Sequence, residues 1–393
     1  MSDQTKIEWT DATWNPITGC SVVSPGCTNC YAMRLAGTRL QHHPSRAGLT
    51  RDSKAGPVWT GEVRLNAGWL DQPLRWRRPR RIFVCAHGDL FHETVPDDWI
   101  DRVFAVMALT PHHVFQVLTK RPERMRDYVS TRAGDFMLHL PDAARKAGAT
   151  LEDCRAVREL RWPLPNVWLG VSVEDQQRAD ERIPILLDTP AAVRWVSAEP
   201  LLGPVDLSRW LPGCYECAEE CGWRSWSSPP DEVCHACGWI GTNAGEFCSR
   251  CGKQDFGAVC PRCEANAVQH HPDTPTLDWI VAGGESGPGA RPMHPDWARG
   301  LRDQCQSAGV PFLFKQWGAW APQLGAIDLT DDPEISRYTW AEWTDWGGGP
   351  PRWEITERPM WCDEMDADHS MIRVGKTAAG RQLDGRTWSE FPT

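Results

Sequence analysis

The sequence predicts an α/β protein built on a complete or partial (β/α) barrel of the TIM type, with a cysteine-rich module inserted into it. Three observations predict this. Short apolar runs recur along the chain, most of them separated by helical patterns. Polar residues follow six of those runs, as at the active-site rim of a parallel barrel. Between residues 206 and 274 the alternation stops and nine cysteines appear.

At 393 residues the chain can bury a full core. Two units are expected: residues 1–205 with 275–393 as the barrel and its C-terminal cap, and 206–274 as the insert. The start, Met1–Glu8, has no apolar run and no signal-peptide pattern. No segment is long and apolar enough to span a bilayer. The expectation is a soluble, cytoplasmic protein with no membrane contact. In that compartment the 16 cysteines point to metal binding or catalysis rather than to disulfides.

The net charge of −10 argues against a sequence-blind DNA coat. The charge is uneven, however. From Arg34 to Arg81 there are 11 Lys/Arg against 3 Asp/Glu, ending in Arg75–Trp76–Arg77–Arg78–Pro79–Arg80–Arg81. Basic residues with Trp59, Trp69 and Trp76 among them suit phosphate contact and base stacking. A solvated basic face with structural tryptophans is the plain alternative.

The apolar runs are Gly61–Leu65, Arg81–Cys85, His113–Leu118, Asn166–Val171, Val193–Ser197, Leu277–Ala282 and Pro311–Phe314. Several are nearly continuous in Val, Ile, Leu and Phe, as strands buried on both faces should be. Counting the approach to the first cysteines as a strand gives about eight, the barrel number. Helical patterns cover Asn29–Leu40, Asp97–Leu109, Pro122–Thr131, Asp175–Leu187 and Pro295–Ala308.

The strand ends carry His87 and Asp89, Thr119–Lys120–Arg121, Ser172 and Glu174, Ser197 and Glu199, Gly283–Gly284–Glu285–Ser286, and Lys315–Gln316. Each alone is an ordinary loop residue, and together they point to a shared site. The glycines would let backbone approach a ligand closely. The Trp-rich stretch from Gly318 to Thr393 reads as short strands and loops capping the barrel.

Two cysteine patterns carry metal chemistry. Cys20, Cys27 and Cys30 form C-x6-C-x2-C in a loop before the first helix. Three thiolates make an incomplete zinc set, or a [4Fe–4S] set with one iron left open. A helix start also directs backbone N–H groups at a negatively charged cluster. In the insert, the pairs Cys214/Cys217 and Cys234/Cys237 are 16 residues apart, within zinc-ribbon spacing. Cys248/Cys251 and Cys260/Cys263 form a second set. Two structural zincs are expected, with Cys221 left over and a rubredoxin-like iron site or relay clusters as alternatives. So apolar-poor a module should need metal in order to fold.

The set Cys20, Cys27, Cys30 resembles the cluster loop of radical S-adenosylmethionine (SAM) enzymes. The resemblance extends to Trp14–Asn15–Pro16–Ile17–Thr18–Gly19–Cys20, Asp89–Leu90–Phe91–His92, Leu118–Thr119–Lys120–Arg121–Pro122 and Gly170–Val171–Ser172–Val173–Glu174. It continues with Ser197–Ala198–Glu199–Pro200, Gly283–Gly284–Glu285–Ser286–Gly287, Phe314–Lys315–Gln316–Trp317–Gly318 and the tail from Gly380 to Trp388. Together these are similar to a family of bacteriophage and prophage proteins of unassigned function. The first cysteine gap is six residues where radical SAM enzymes usually have three, and Asn29 rather than an aromatic precedes Cys30.

The resemblance implies a radical SAM-like barrel with a [4Fe–4S] cluster on Cys20, Cys27 and Cys30 and SAM on the open iron. It also implies a reduced flavodoxin or ferredoxin as electron donor. Ser172, Glu174, Ser197, Glu199, Gly283, Gly284 and Glu285 become candidates for SAM contact. Lys120, Arg121 and Lys315 become candidates for holding a substrate phosphate or carboxylate. A barrel-rim salt bridge is the plain alternative for each charged member.

The first functional expectation is a radical enzyme that modifies or repairs a nucleic-acid base or nucleotide. The second keeps the enzyme and takes a peptide or small metabolite. The third is a non-catalytic, zinc-stabilised module that binds nucleic acid or protein. In it Cys85, Cys154, Cys305 or Cys362 would close a four-thiolate site.

Overall fold

Alternation with period two organises the architecture, because residues two apart in a strand share a face. In the computed structural model the described residues are 5–146, 160–212, 275–322, 339–344, 351–356 and 370–392, with isolated positions between 148 and 155 and the backbone of six short strands between 215 and 269. Seven strands form the main sheet. They are β1 (Ala12–Trp14), β2 (Arg81–Val84), β3 (Val114–Thr119), β4 (Val167–Ser172), β5 (Val193–Ala198), β6 (Trp279–Gly283) and β7 (Phe312–Gln316). They lie in chain order and every neighbouring pair is parallel. β1 and β7 are the two edges, so the sheet curls as a half-barrel and does not close.

This is the partial form of the expected barrel and excludes the complete one. The run Gly61–Leu65 accounts for one missing strand. Only Arg64–Leu65 is extended there, and it pairs antiparallel with Ile17–Thr18 outside the sheet. Charged Glu62 and Arg64 alternate with Val63 and Leu65, so the run cannot be buried on both faces as a central parallel strand must be.

The longer helices among the described residues are α1 (Tyr31–Gly37), α2 (Asp97–Ala108), α3 (Pro122–Lys146), α4 (Gln176–Leu187) and α5 (Pro295–Ala308). α3 runs well past its expected end at Thr131, because Leu140, Ala143 and Ala144 continue its buried face. Asp175 caps α4 by accepting from the Arg178 N–H at 2.9 Å, a contact worth about 1 kcal/mol.

The core has two sides. Ile82, Val84, Val117, Leu169, Val171, Val196, Ile280, Phe312 and Phe314 belong to the larger apolar cluster, which includes the inner faces of the helices. The alternate residues Phe83, Trp168, Trp195, Trp279, Val281 and Leu313 pack with Trp9 and Phe391 into a second cluster on the other face of the sheet. Trp195 stands 5.2 Å from both Trp9 and Trp279 between ring centroids. Gly170 has no side chain because Trp195 lies over it: a Cβ there would sit 2.5 Å from the indole. Much of the tryptophan content is therefore spent on core packing.

After β7 come β8 (Trp320–Pro322), β9 (Trp340–Thr344), β10 (Arg352–Thr356) and β11 (Ser370–Arg373). They form an antiparallel sheet in the order β8-β11-β9-β10, so short strands do occur in this stretch. The cysteine-rich insert lies between β5 and β6. Its short strands pair antiparallel, 215–217 with 224–225 and 267–269, and 232–234 with 239–241 and 256–258. The side chains of Cys214, Cys217, Cys221, Cys234, Cys237, Cys248, Cys251, Cys260 and Cys263 lie outside the described residues, and so does the zinc assignment. Among the described residues no helix is long and apolar enough to cross a membrane.

Candidate functional site

A cavity of about 820 Å³ opens at the C-terminal ends of the strands. Its floor includes Trp9, Phe83 and Leu118 from the aromatic side of the sheet. Above them the same faces turn polar. Trp168 is followed two and four residues on by Gly170 and Ser172, and Trp195 by Ser197 and Glu199. Leu313 is followed by Lys315, and Leu118 by Lys120. Ser172, Ser197, Glu199, Lys315 and Lys120 all line the cavity. One rule of alternation thus gives a dry floor and a polar rim.

Cys20, Cys27 and Cys30 form part of the wall, all three as free, half-buried thiols. Burial, with Asp89 close by, pushes the Cys20 thiol up to about 12, and burial also raises Cys30. A thiolate on Cys27 would raise both further, so the three form one electrostatic unit. Cys20 and Cys30 are therefore protonated at neutral pH unless a cation takes the proton's place. Among the described residues no three His, Cys, Asp or Glu side chains converge on a single-ion site.

The loop bearing these thiols is held at three points. At its start, Arg121 reaches Ser21 Oγ with Nη2 at 2.7 Å and Cys20 Sγ with Nη1 at 3.5 Å. The same guanidinium donates to Asp89 at 2.9 Å and Glu93 at 2.8 Å. His92 Nε2 stands 3.1 Å from Ser21 Oγ on the same side. In the middle, Glu174 accepts from the Ser24 hydroxyl and from the Gly26 N–H at 3.3 Å. A Cβ at Gly26 would meet the Glu174 carboxylate at 2.6 Å, so only glycine allows this approach. At the end, Glu285 accepts from Asn29 Nδ2 at 2.8 Å and is held by Arg291, which also donates to the Pro25 carbonyl at 3.0 Å.

Glu174 is 1% exposed and carries its charge by compensation. Burial alone would raise its pKa. Lys120, with Nζ 4.0 Å away, Arg182 at 2.7 Å and the Ser24 hydroxyl outweigh burial and hold the carboxyl below its ordinary range.

The residues singled out from the sequence divide accordingly. Arg121, Glu174 and Glu285 grip the cysteine loop. Lys120, Ser172, Ser197, Glu199 and Lys315 line the open volume, with Lys315 Nζ 2.5 Å from the Glu199 carboxylate. Gly284 lines the cavity and also packs against the chain, since a Cβ there would meet the Trp317 carbonyl at 2.0 Å, whereas a Cβ on Gly283 would make only an ordinary contact with the Gln316 carbonyl at 3.4 Å. His87 also lines the cavity, where burial, with Arg46 nearby, pushes it down to about 4, so it is neutral at pH 7.

The basic run Arg75–Arg81 lies elsewhere. Arg81 opens β2, and it is the residues after the strand's other end, Cys85 to Asp89, that line the cavity. Trp76 is buried, Arg81 pairs with Asp11 at 3.2 Å, and Arg75 with Asp71 at 2.5 Å. Arg39 and Trp59, from the earlier part of the basic Arg34–Arg81 stretch, do line the cavity. Lys6 and Lys376 line it too, and neither stands at a strand end or in that stretch, so no pattern marks them. Ser24 carries no signal because its partner Glu174 is 150 positions away, and Arg182 and Arg291, though only eight and six positions from Glu174 and Glu285, stand at no strand end.

A family model described as "Protein of unknown function (DUF5131)" matches residues 4–392. The chain belongs to this family. The match spans the half-barrel, the insert and the strands that follow β7. No curated protein and no solved structure matches it.

Proposed function

We propose that this DUF5131 protein is an iron–sulfur enzyme of the radical SAM type, in the phage or prophage setting that its motifs resemble. One arrangement supports it: three free thiols on a single loop form the wall of a deep cavity at the strand ends of a parallel half-barrel, and that loop is gripped from β3, β4 and β6.

The donor set fits the group. Thiolates select iron–sulfur clusters and other soft centres. A four-iron cube takes one thiolate on each iron, so its ligands surround a cluster instead of converging on one ion. Cys20, Cys27 and Cys30 would hold three irons. With SAM on the fourth, such a cluster supplies one-electron cleavage of the sulfonium as the source of a 5′-deoxyadenosyl radical, the electron coming from a reduced flavodoxin or ferredoxin.

The protein's own share is positioning and exclusion of water. Arg121, Glu174 and Glu285 fix the ligand loop. Ser172, Ser197, Glu199, Lys120 and Lys315 orient what lies in the cavity. The aromatic floor keeps water from entering beneath.

The deciding experiment is anaerobic purification, followed by iron and zinc counts and EPR of the reduced protein with and without SAM. About four irons lost on replacing all three cysteines by Ala, a SAM-dependent spectrum and release of 5′-deoxyadenosine are expected. A cluster indifferent to SAM, or zinc alone, would refute the proposal.

A second reading has its own observation. Cys85 is buried and also lines the cavity, which suits a closed, four-thiolate cluster without catalysis. Cys305 lies in the main apolar core, and Cys154 and Cys362 lie outside the described residues. Cys85→Ser separates the readings: the open-iron site keeps its SAM response in that variant, and the closed site loses its cluster.

A further inference from the structure

The chain carries a net charge of −10, yet its cavity has the opposite sign. Six Lys/Arg line it (Lys6, Arg39, Lys120, Arg121, Lys315, Lys376) against three Asp/Glu (Asp89, Glu199, Glu285). Several of these cancel locally. Arg121 is matched by Asp89, Lys315 by Glu199, and Lys376 by Glu8 at 3.2 Å. Lys6 and Arg39 are exposed and make no ion pair among the described residues. Uncompensated cations at the mouth of a pocket raise the local concentration of anions.

The mouth also presents an aromatic face. Tyr31 is 48% exposed although its ring is fixed: the hydroxyl donates to the Ala86 carbonyl at 2.5 Å and the ring stands edge-on to His87 at 5.8 Å. A rigid, half-open aromatic that lines one cavity with free cations is suited to take a base on the ring and phosphate on the charges.

Size narrows the ligand further. Pockets for single small molecules run to about 300–1,000 Å³. A volume of about 820 Å³, shared with SAM, admits one nucleotide unit and excludes a duplex.

We propose that the substrate is a nucleoside phosphate, met as a free nucleotide or as one unstacked unit of a single strand, with Tyr31 as its stacking face and Lys6 and Arg39 as its phosphate contacts. The proposal takes from the preceding section that this cavity is the reacting volume, and it narrows what enters. A base buried in a duplex must leave the stack before chemistry, so single strands and strand ends are favoured over paired DNA.

The test is anisotropy of a labelled single-stranded oligonucleotide on the full, iron-loaded chain without SAM. A duplex, a nucleoside 5′-monophosphate and the bare nucleoside serve as competitors. The single strand and the monophosphate are expected to compete, and the duplex and bare nucleoside at least tenfold less well. The same measurement with a labelled nucleoside 5′-monophosphate as probe separates the sources: binding of the monophosphate without binding of the oligonucleotide identifies a free nucleotide.

In K6E/R39E the affinity should fall at least tenfold. The slope of log affinity against log salt should drop by about 1.4, from two lost contacts at about 0.7 each. Tyr31→Leu should cost about tenfold. Equal binding of the duplex, no competition by either phosphate ligand, or an unchanged slope in K6E/R39E at wild-type iron content overturns the proposal. Iron count and SAM cleavage are read on the same samples. Binding that fails on a SAM-cleaving protein removes the substrate and leaves the reaction, and binding that holds without a cluster does the reverse.

Discussion

Lys120 and Arg121 are neighbours at the end of β3 and serve opposite regions of the site. Lys120 faces the open cavity, whereas Arg121 turns into the wall and binds Ser21, Asp89, Glu93 and the edge of Cys20. The same division recurs along the rim. Glu174 and Glu285 belong to the wall with Arg121, and Ser197, Glu199 and Lys315 belong to the opening. A charged residue at a strand end is thus no sufficient sign of ligand contact. The wall residues are distinguished by what they hold: Arg121, Glu174 and Glu285 each bond to the cysteine loop, which Ser197, Glu199 and Lys315 do not.

That contrast orders the expected effects. Replacing Glu174 should do most. Glu174→Ala leaves Arg182 buried without its carboxylate and releases the middle of the loop, a loss of about 3–5 kcal/mol. Thermal unfolding should show it directly, and iron per chain should fall with it. A Glu174→Ala protein with native melting and full iron would erase the distinction between wall and opening.

Arg121→Met comes next. It strands Asp89 and frees Cys20, at a cost of about 1–3 kcal/mol for the unsatisfied group, and iron retention after gel filtration should drop. Glu285→Gln should cost less, because Arg291 is 34% exposed on its side chain and water can replace part of the contact. Its signature is a cluster that is lost faster, with melting little changed. Lys6→Glu and Arg39→Glu, both in the opening, should leave melting and iron where they are and change ligand affinity alone.

The thiols add a dependence on pH. Cys20 titrates at about 12, raised by burial, so its thiolate is scarce at pH 7 and grows tenfold per pH unit up to that value. Iron uptake by the apo protein should strengthen steadily from pH 6 to pH 9 and release protons, which calorimetry in two buffers of different ionisation heat can count. Glu174 moves the other way. Its folded pKa is depressed, so its contribution is present above the unfolded carboxylate value of about 4.3 and is lost as pH falls through the lowered folded value. Acid should loosen the loop before it unfolds the sheet.

Much of the fold was legible because parallel strands buried on both faces announce themselves as unbroken apolar runs. β4, with all six residues buried, is the clearest case. The helices were legible from their periodicity, although the end of α3 was not. Within the site, Cys20, Cys27, Cys30 and the strand-end polar residues could be found from spacing alone. Their division into wall and opening could not. It is set by where the cysteine loop lies over the sheet, through contacts such as Ser24 to Glu174, 150 positions apart, and Asn29 to Glu285, 256 positions apart. Lys6 carries no local pattern, and Arg39 only its place in the basic stretch from Arg34 to Arg81; the folded chain brings both to the mouth.

Those separations also set an order of events during synthesis. The ligand loop leaves the ribosome early. Arg121 and Glu174 follow, and Glu285 arrives only after the cysteine-rich insert has been made. The tail then finishes the sheet: Glu390 takes the indole N–H of Trp279 at 2.9 Å on its carbonyl and the backbone N–H of Phe312 at 3.0 Å on its carboxylate. For most of translation the three thiols hang on an ungripped loop over an unfinished sheet. Iron delivered then would find no fixed seat, so a cluster belongs to the completed chain, and a truncation far from the cysteines would cost it as surely as a change within the loop.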